Sequence, residues 1–254
     1  MITVKVIGVG MGDARHLTAE AADAIRSVDL FLILEKGSAA DELASLRRDL
    51  CESVAGQDSC RFVQVPDPPR DRSADGYVHA VQEWTEARGA ALLAAMESHL
   101  LPGQTAGILA WGDPAFYDST LRVLEDGRRS GRLEVEVVPG VSSIQMLAAA
   151  HRMSLTRVGR PLHITTGRRL AEEGLPPGCD DVVVMLDGDC SFRHLDPDGL
   201  RIYWGADLGG PHQVLVAGDM AEVTDTIAAR RAEVRARRGW VMDTYLIRRG
   251  ERDR

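Results

Sequence analysis

The stretch Ile2-Thr-Val-Lys-Val-Ile-Gly-Val-Gly-Met-Gly-Asp13 indicates the fold class, because an apolar run passes directly into a glycine-rich turn. Two later segments repeat this arrangement. Trp111-Gly-Asp-Pro-Ala-Phe-Tyr117 follows the apolar residues 106–110, and Pro139-Gly-Val-Ser-Ser143 follows residues 133–138. Each turn precedes a segment with helical spacing, which is typical of alternating β and α elements. Since open sheets bind ligands at the carboxyl ends of their strands, we expect the three turns to form one crevice.

The pattern along the chain predicts an α/β protein with two domains. Over the first half, apolar runs alternate with amphipathic segments, which favours a parallel, doubly wound sheet. Strands follow one another more closely in the second half, which favours a mixed sheet. We place the boundary at Ala115–Tyr117, with domains of residues 1–115 and 116–254. The predicted strands are residues 2–7, 30–34, 61–65, 104–110, 133–138, 161–166, 181–186, 201–205, 213–218 and 240–247. The predicted helices are residues 19–27, 41–51, 77–101, 119–127, 142–153 and 220–236.

Composition narrows the functional classes. The 254 residues are 44% apolar and 27% charged, as in an ordinary globular protein, and the net charge of −8 argues against non-specific binding to nucleic acid. No apolar run approaches the length of a membrane helix, and the first residues do not have the pattern of a signal peptide, so we expect a cytoplasmic protein. The four cysteines lack CxxC or zinc-site spacing, so we expect free thiols and no metal.

Each of the three turns also has another interpretation. The pattern Gly8-x-Gly10-x-Gly12 is similar to a dinucleotide fingerprint, and Glu35 ends the second predicted strand, where a ribose-binding acid would lie. A nicotinamide-dependent oxidoreductase is therefore an alternative, although Asp13 occupies the position of the third fingerprint glycine. The 111–117 turn could be a linker, and Ser142 with Gln145 has the form of a capping box.

Together the motifs resemble those of the tetrapyrrole (corrin/porphyrin) methyltransferases. The family's opening GxGPGD turn corresponds to residues 8–13, with Met11 in place of the proline. Its GDP turn with a following aromatic residue corresponds to Gly112–Pro114 and Tyr117, and its PGxSS element to Pro139–Ser143. Later matches are an apolar strand ending in methionine, Val182–Met185, and a strand with its following turn, Ile202–Gly205 and Gly210–Gln213. The resemblance covers nearly the whole chain.

This resemblance implies an S-adenosylmethionine enzyme of two α/β domains, with the cofactor held in the cleft between them. The cofactor-binding residues it implies are Gly10, Gly112, Asp113, Ala115, Ser142, Ser143, Met185 and Ala206. The tetrapyrrole would lie near residues 10–16, with its carboxylates paired to arginines. The candidate substrate-binding residues are Gly12, Arg47, Arg70 and Arg72. The family resemblance also suggests a homodimer.

Three further segments narrow the expected substrate. Residues 34–38, 66–72 and 203–211 are similar to a subfamily of the aerobic cobalamin pathway, which methylates carbon 1 of precorrin-5 and releases acetate. Another precorrin C-methyltransferase of the same family is the alternative. Release of the acetyl group needs a polar group to assist attack by water, and the candidates are Asp13, His16 and Tyr117.

Overall fold

The structure is a computed structural model in which residues 1–35, 38–69 and 77–250 are described. The chain divides into two compact units, Met1–Ser142 and Ser143–Arg254. Each unit contains one five-stranded sheet, so the predicted α/β class is confirmed.

The first unit is built on a wholly parallel sheet, as predicted. Its strands are β1 (Ile2–Gly8), β2 (Leu30–Glu35), β3 (Phe62–Pro66), β4 (Thr105–Ala110) and β5 (Leu133–Val138). They lie in the order β3-β2-β4-β1-β5. Its helices are α1 (Ala19–Arg26), α2 (Ser38–Ala55), α3 (Tyr77–His99) and α4 (Thr120–Arg129), with a short 3₁₀ helix at Ala14–His16. The central position of β1 places the turn after it between the turns that follow β4 and β5.

The boundary between the units differs from the predicted position at residues 115–116. Strand β5 pairs with β1 in parallel from Ile2 opposite Leu133 to Ile7 opposite Val138. Residues 116–138 therefore return to the first sheet, and the first unit continues to Ser142. The 111–117 turn joins two parts of one sheet, and a local sequence pattern does not reveal which distant strand the next one will pair with.

Alternation along β1 supplies both faces of the first core, because successive strand residues point to opposite sides. Val4 and Val6 join one buried cluster with Leu92 of α3. Ile7 joins the other with Ile25 of α1. Helix α1 begins as predicted, because the Ala21 N–H donates to the Thr18 side chain at its N-cap.

The second unit has the predicted mixed sheet. Its strands are β6 (Leu162–Thr166), β7 (Asp181–Met185), β8 (Leu200–Ala206), β9 (Val214–Asp219) and β10 (Asp243–Arg249), in the order β6-β7-β10-β8-β9. β6 and β7 are parallel, whereas β10 is antiparallel to both of its neighbours, β7 and β8. Its helices are α5 (Ser143–Ala150), α6 (Gly167–Glu173) and α7 (Met220–Arg238). Helix α6 was not predicted; it has seven residues and is capped by Thr166, whose side chain accepts from Arg169 N.

A buried ion pair fixes the chain where it leaves β3. Arg88 of α3 has a side chain only 1% exposed, and it donates to both carboxylate oxygens of Asp67, with the Nη2–Oδ2 distance 2.6 Å. The same guanidinium lies 3.8 Å from the ring centroid of Trp84, whose indole N–H donates to the Pro68 carbonyl. Helix α3 therefore anchors residues 67–68.

Replacing Arg88 with alanine should lower the free energy of unfolding by about 3 kcal/mol, because Asp67 would be left partly buried without its partner. Urea denaturation measures this loss. Arg128→Ala is the matched control: its ion pair with Glu125 lies on the surface, where water screens it, so the loss of stability should be much smaller than in Arg88→Ala. Equal losses in the two variants would show that the Arg88 pair contributes no more than a surface pair.

Candidate functional site

The three turns meet at the carboxyl ends of β4, β1 and β5, as expected from the sequence. Val9 N donates to Ala110 O over 2.9 Å. Gly10 and Gly112 then exchange two backbone hydrogen bonds, of 3.2 and 2.7 Å. The first and second turns are thus joined as a short antiparallel bridge beyond the end of the parallel sheet.

The third turn packs directly against the other two, with no space for a side chain. A Cβ atom added to Gly140 would lie 2.2 Å from the Gly112 carbonyl oxygen and 2.8 Å from Gly8 Cα. One added to Gly8 would lie 2.6 Å from Gly140 N. Close backbone packing therefore accounts for these glycines without a bound dinucleotide phosphate.

Asp113 holds the second and third turns together. Its Oδ2 accepts from Gly140 N and its Oδ1 from Ala115 N, each over 2.8 Å. Both carboxylate oxygens are therefore used within the protein. The sequence placed Asp113 among the cofactor-binding residues, and the structure gives its side chain a positioning role in the turns that carry Gly112, Ala115 and Ser142.

Of the three catalytic candidates, Asp13 is the weakest base. Its carboxylate accepts from the backbone and guanidinium of Arg15, with the shortest contact 2.7 Å. These bonds lower the pKa of Asp13 to about 2, so it stays ionised near neutral pH. Tyr117 adopts the left-handed conformation at φ +54° and is 47% exposed, and partial burial raises its pKa. His16 differs from both, because its buried Nδ1 has no hydrogen-bond partner within the described part of the chain.

Arg47 is the candidate substrate-binding arginine whose position the structure describes; Arg70 and Arg72 lie outside the described residues. The Arg47 guanidinium carbon is 5.3 Å from the ring centroid of Trp111. Trp111 in turn borders Gly12, where an added Cβ would lie 3.0 Å from the indole ring. Sequence reasoning used Trp111 only to mark the second turn, because nothing local shows that its indole packs between Gly12 and α2.

In the second unit, three of the proposed cofactor-binding residues surround the start of β10. Met185 ends β7 opposite Thr244, and Ala206 ends β8 opposite Asp243. The Thr244 hydroxyl donates to Ser143 Oγ over 2.9 Å, and Thr244 is 3% exposed. Sequence analysis did not single out Thr244, because its place between β7 and β8 results from non-local pairing.

Asp187 fixes the turn that follows Met185. Its carboxylate accepts from Ser191 N over 2.7 Å, from Ser191 Oγ over 3.0 Å and from the Tyr245 hydroxyl over 2.6 Å. Burial, and then the nearby Asp187 charge, raise the pKa of Tyr245, so the phenol keeps its proton. Leu186 adopts φ +53° and is 66% exposed, which gives this strand end an apolar surface.

The residues present fit S-adenosylmethionine. The ligand has a positively charged sulfur, a flat adenine and a polar amino-acid end. None of the eight proposed residues is cationic, and most have small side chains. The apolar surface at Leu186 suits an aromatic ring, and the serine hydroxyls suit a polar end.

Comparison with known proteins gives consistent matches. The profile of the tetrapyrrole (corrin/porphyrin) methylases matches residues 3–224. A Sinorhizobium sp protein named precorrin-6A synthase (deacetylating) is 38% identical over 252 residues, covering 98% of this chain and 96% of that protein. A crystal structure from Corynebacterium diphtheriae, described as a cobalamin synthesis related protein (CobF), is 31% identical with a TM-score of 0.81, covering 98% and 99% of the two chains. A uroporphyrin-III C-methyltransferase from Thermus thermophilus, solved with S-adenosyl homocysteine, shares the fold at 19% identity, with a TM-score of 0.58 over 98% and 97%.

Gly140→Ala should lower the free energy of unfolding by about 3 kcal/mol, because its Cβ would collide with backbone atoms that cannot rotate away. Thermal unfolding followed by circular dichroism measures the change. Gly188→Ala is the control, since no atom lies within 4 Å of the Cβ position there and its φ is not positive. A Gly140→Ala protein as stable as Gly188→Ala would contradict the close packing of the three turns.

Proposed function

Because this chain belongs to the tetrapyrrole (corrin/porphyrin) methylase family and is an S-adenosylmethionine-dependent methyltransferase, we propose that it methylates carbon 1 of precorrin-5 in cobalamin biosynthesis and releases acetate, giving precorrin-6A. The observation that carries this proposal is the nearly full-length similarity to precorrin-6A synthase (deacetylating). The joined turns of the first unit support it, because they have the family's motifs at the carboxyl ends of adjacent strands.

We assign cofactor binding to the residues named from the sequence. In the first unit these are Gly10, Gly112, Asp113, Ala115 and Ser142; in the second they are Ser143, Met185 and Ala206. S-adenosylmethionine supplies an activated methyl group when bound. Asp113 contributes indirectly, by holding the second and third turns in place. Thr244 has the same role for Ser143. Positioning of this kind is the main requirement of a transfer whose donor is already activated.

The tetrapyrrole is assigned to the first turn. Gly12 and Arg47 lie beside Trp111, and the guanidinium of Arg47 can pair with a substrate carboxylate. Arg70 and Arg72 follow the anchored residues 67–68 in sequence and remain proposed substrate-binding residues.

Release of the acetyl group requires water to add to the acetyl carbonyl. A carbon–oxygen bond forms, the bond from the acetyl carbon to the ring breaks, and the electron pair stays on ring carbon 1. The water loses a proton, and His16 is the proposed acceptor because its buried Nδ1 is unpaired in the described structure and the free nitrogen of a neutral imidazole can take up a proton. Asp13 is held ionised by Arg15 and is assigned to shaping the turn. Tyr117, the last residue of the second turn, remains the third candidate, as a hydrogen-bond donor to the acetyl carbonyl oxygen.

We further propose that the enzyme acts in the cytoplasm as a homodimer. The four cysteines are all unpaired, which suits a reducing compartment. Among the described residues, no helix has both the length and the apolar character needed to cross a membrane. Light scattering of the purified protein tests the dimer, and a monomeric mass would contradict it.

Incubation with S-adenosylmethionine and enzymatically generated precorrin-5 should add one methyl group to the pigment and release one equivalent of acetate. Mass spectrometry of the pigment and an enzymatic acetate assay measure the two products. Boiled protein is the control. Turnover of a different precorrin without acetate release would retain the family but contradict the proposed substrate.

Asp113→Ala should weaken S-adenosylmethionine binding about tenfold, because the turns lose two hydrogen bonds that hold their backbone in position. Isothermal titration calorimetry gives the dissociation constant. Asp126→Ala, on the exposed side of α4, removes the same charge and should bind as the parent does. An unchanged affinity in Asp113→Ala would remove the second turn from the cofactor site.

A further inference from the structure

Three buried polar atoms around the first turn have no hydrogen-bond partner in the described structure. They are His16 Nδ1, Arg47 Nε and Trp111 Nε1. Folded proteins satisfy the large majority of their buried polar atoms, so an unpaired group requires an explanation. Three unpaired groups around one turn suggest a partner that is not among the described residues.

The three side chains belong to one neighbourhood. A Cβ added to Gly10 would lie 2.6 Å from His16 Cβ, and one added to Gly12 would lie 3.0 Å from the Trp111 ring. The Arg47 guanidinium lies above that same ring, and α2, which carries Arg47, packs against the 3₁₀ helix that ends at His16. His16 and Trp111 thus each border a glycine of the first turn, and Arg47 lies over the Trp111 ring.

The charge of Arg47 is only partly compensated. Burial lowers its pKa, while the negative charge of Asp118 acts in the opposite direction. Asp118 already accepts from Thr120 N over 2.7 Å, so its carboxylate also serves the turn before α4. A guanidinium does not lose its proton in proteins, so Arg47 keeps a positive charge with an unpaired N–H. Next to it, Trp111 Nε1 can only donate.

We propose that Arg47, Trp111 and His16 form a carboxylate-binding pocket that receives a two-oxygen anionic group of the tetrapyrrole. The planar guanidinium matches carboxylate geometry, and the indole N–H adds a second donor. His16 Nδ1 is the third polar group; a carboxylate only accepts hydrogen bonds, so this nitrogen binds it as a donor, in the Nδ1–H tautomer or after taking up a proton. The group received is either a permanent carboxylate of the substrate or the acetate that forms once water has added to the acetyl group and its bond to the ring has broken. Its identity rests on the proposed function, whereas carboxylate binding can be tested without it.

The first experiment titrates sodium acetate into ¹⁵N-labelled protein and follows the indole N–H signals by NMR. Trp111→Phe identifies the Trp111 signal. In the parent protein this signal should shift saturably with acetate and not with sodium chloride at equal ionic strength. Arg47→Gln should weaken acetate binding at least tenfold. Arg48→Gln is the matched control: it removes the same charge from the next residue of α2, whose guanidinium lies over Phe62 instead.

A Trp111 signal that fails to saturate, or that responds equally in Arg47→Gln and Arg48→Gln, would overturn the pocket. Trp111→Phe provides a second test that keeps the aromatic packing while removing one donor. Trp111→Phe should weaken acetate binding about threefold. The chemical shifts of other backbone amides of the first turn measure the binding in this variant. Unchanged acetate affinity in both Arg47→Gln and Trp111→Phe would also overturn the proposal.

The second experiment distinguishes the two sources of the bound group by steady-state kinetics with precorrin-5. If a permanent carboxylate is bound, Arg47→Gln should raise KM at least tenfold and leave kcat nearly unchanged. If the acetate that forms is bound, acetate release should slow at least tenfold with KM little changed. S-adenosylmethionine affinity should match the parent in either case.

Unaltered KM and kcat would overturn the pocket's role in the substrate complex. Saturable acetate binding by a parent protein that does not turn over precorrin-5 would instead contradict the proposed function alone.

Discussion

The binding edge of the first unit depends on the close approach of three backbone segments at Gly8, Gly112 and Gly140. No side chain fits between them, so none of the three turns can shift towards another without a backbone collision. Asp113 completes this arrangement by accepting a hydrogen bond from the third turn and another from within its own. Within the first unit, the residues assigned to the cofactor lie on these three turns, and His16 and Arg47 lie beside them.

The second unit positions its residues by a different means. Asp187 and Asp243 are buried carboxylates that receive hydrogen bonds from the strands and helix around them. Trp204 Nε1 and Arg231 Nε both donate to Asp243, and an Arg231 guanidinium nitrogen also donates to the Asp187 carbonyl over 2.8 Å. A network of this kind fixes strand ends in one geometry when all of its members are satisfied. Met185 and Ala206 lie at two of those ends.

Much of the fold could be predicted from the sequence because its signals are local. Apolar runs and turn residues located the strands to within about two or three residues, and Thr18 marked the start of α1. The boundary between the units could not be read in the same way, since β5 belongs with β1 more than a hundred residues earlier. At the candidate site, the meeting of the three turns was predictable, because local motifs such as Gly112-Asp113 mark each turn. The positions of Trp111 and Thr244 were not predictable, because they arise from contacts with distant elements.

The central position of β1 has a consequence for biosynthesis. Strand β1 is flanked by β4 and β5, which occupy residues 105–110 and 133–138. At ribosomal rates of about 5–20 residues per second, β1 waits roughly 6–26 seconds before both partners have been made. Until β4 has been made, both edges of this apolar strand are unpaired, and one edge stays unpaired until β5 follows. Non-local parallel pairing is slow even after synthesis. The arrangement that brings the three turns together thus leaves the nascent chain dependent on protection from aggregation until residue 138 has emerged.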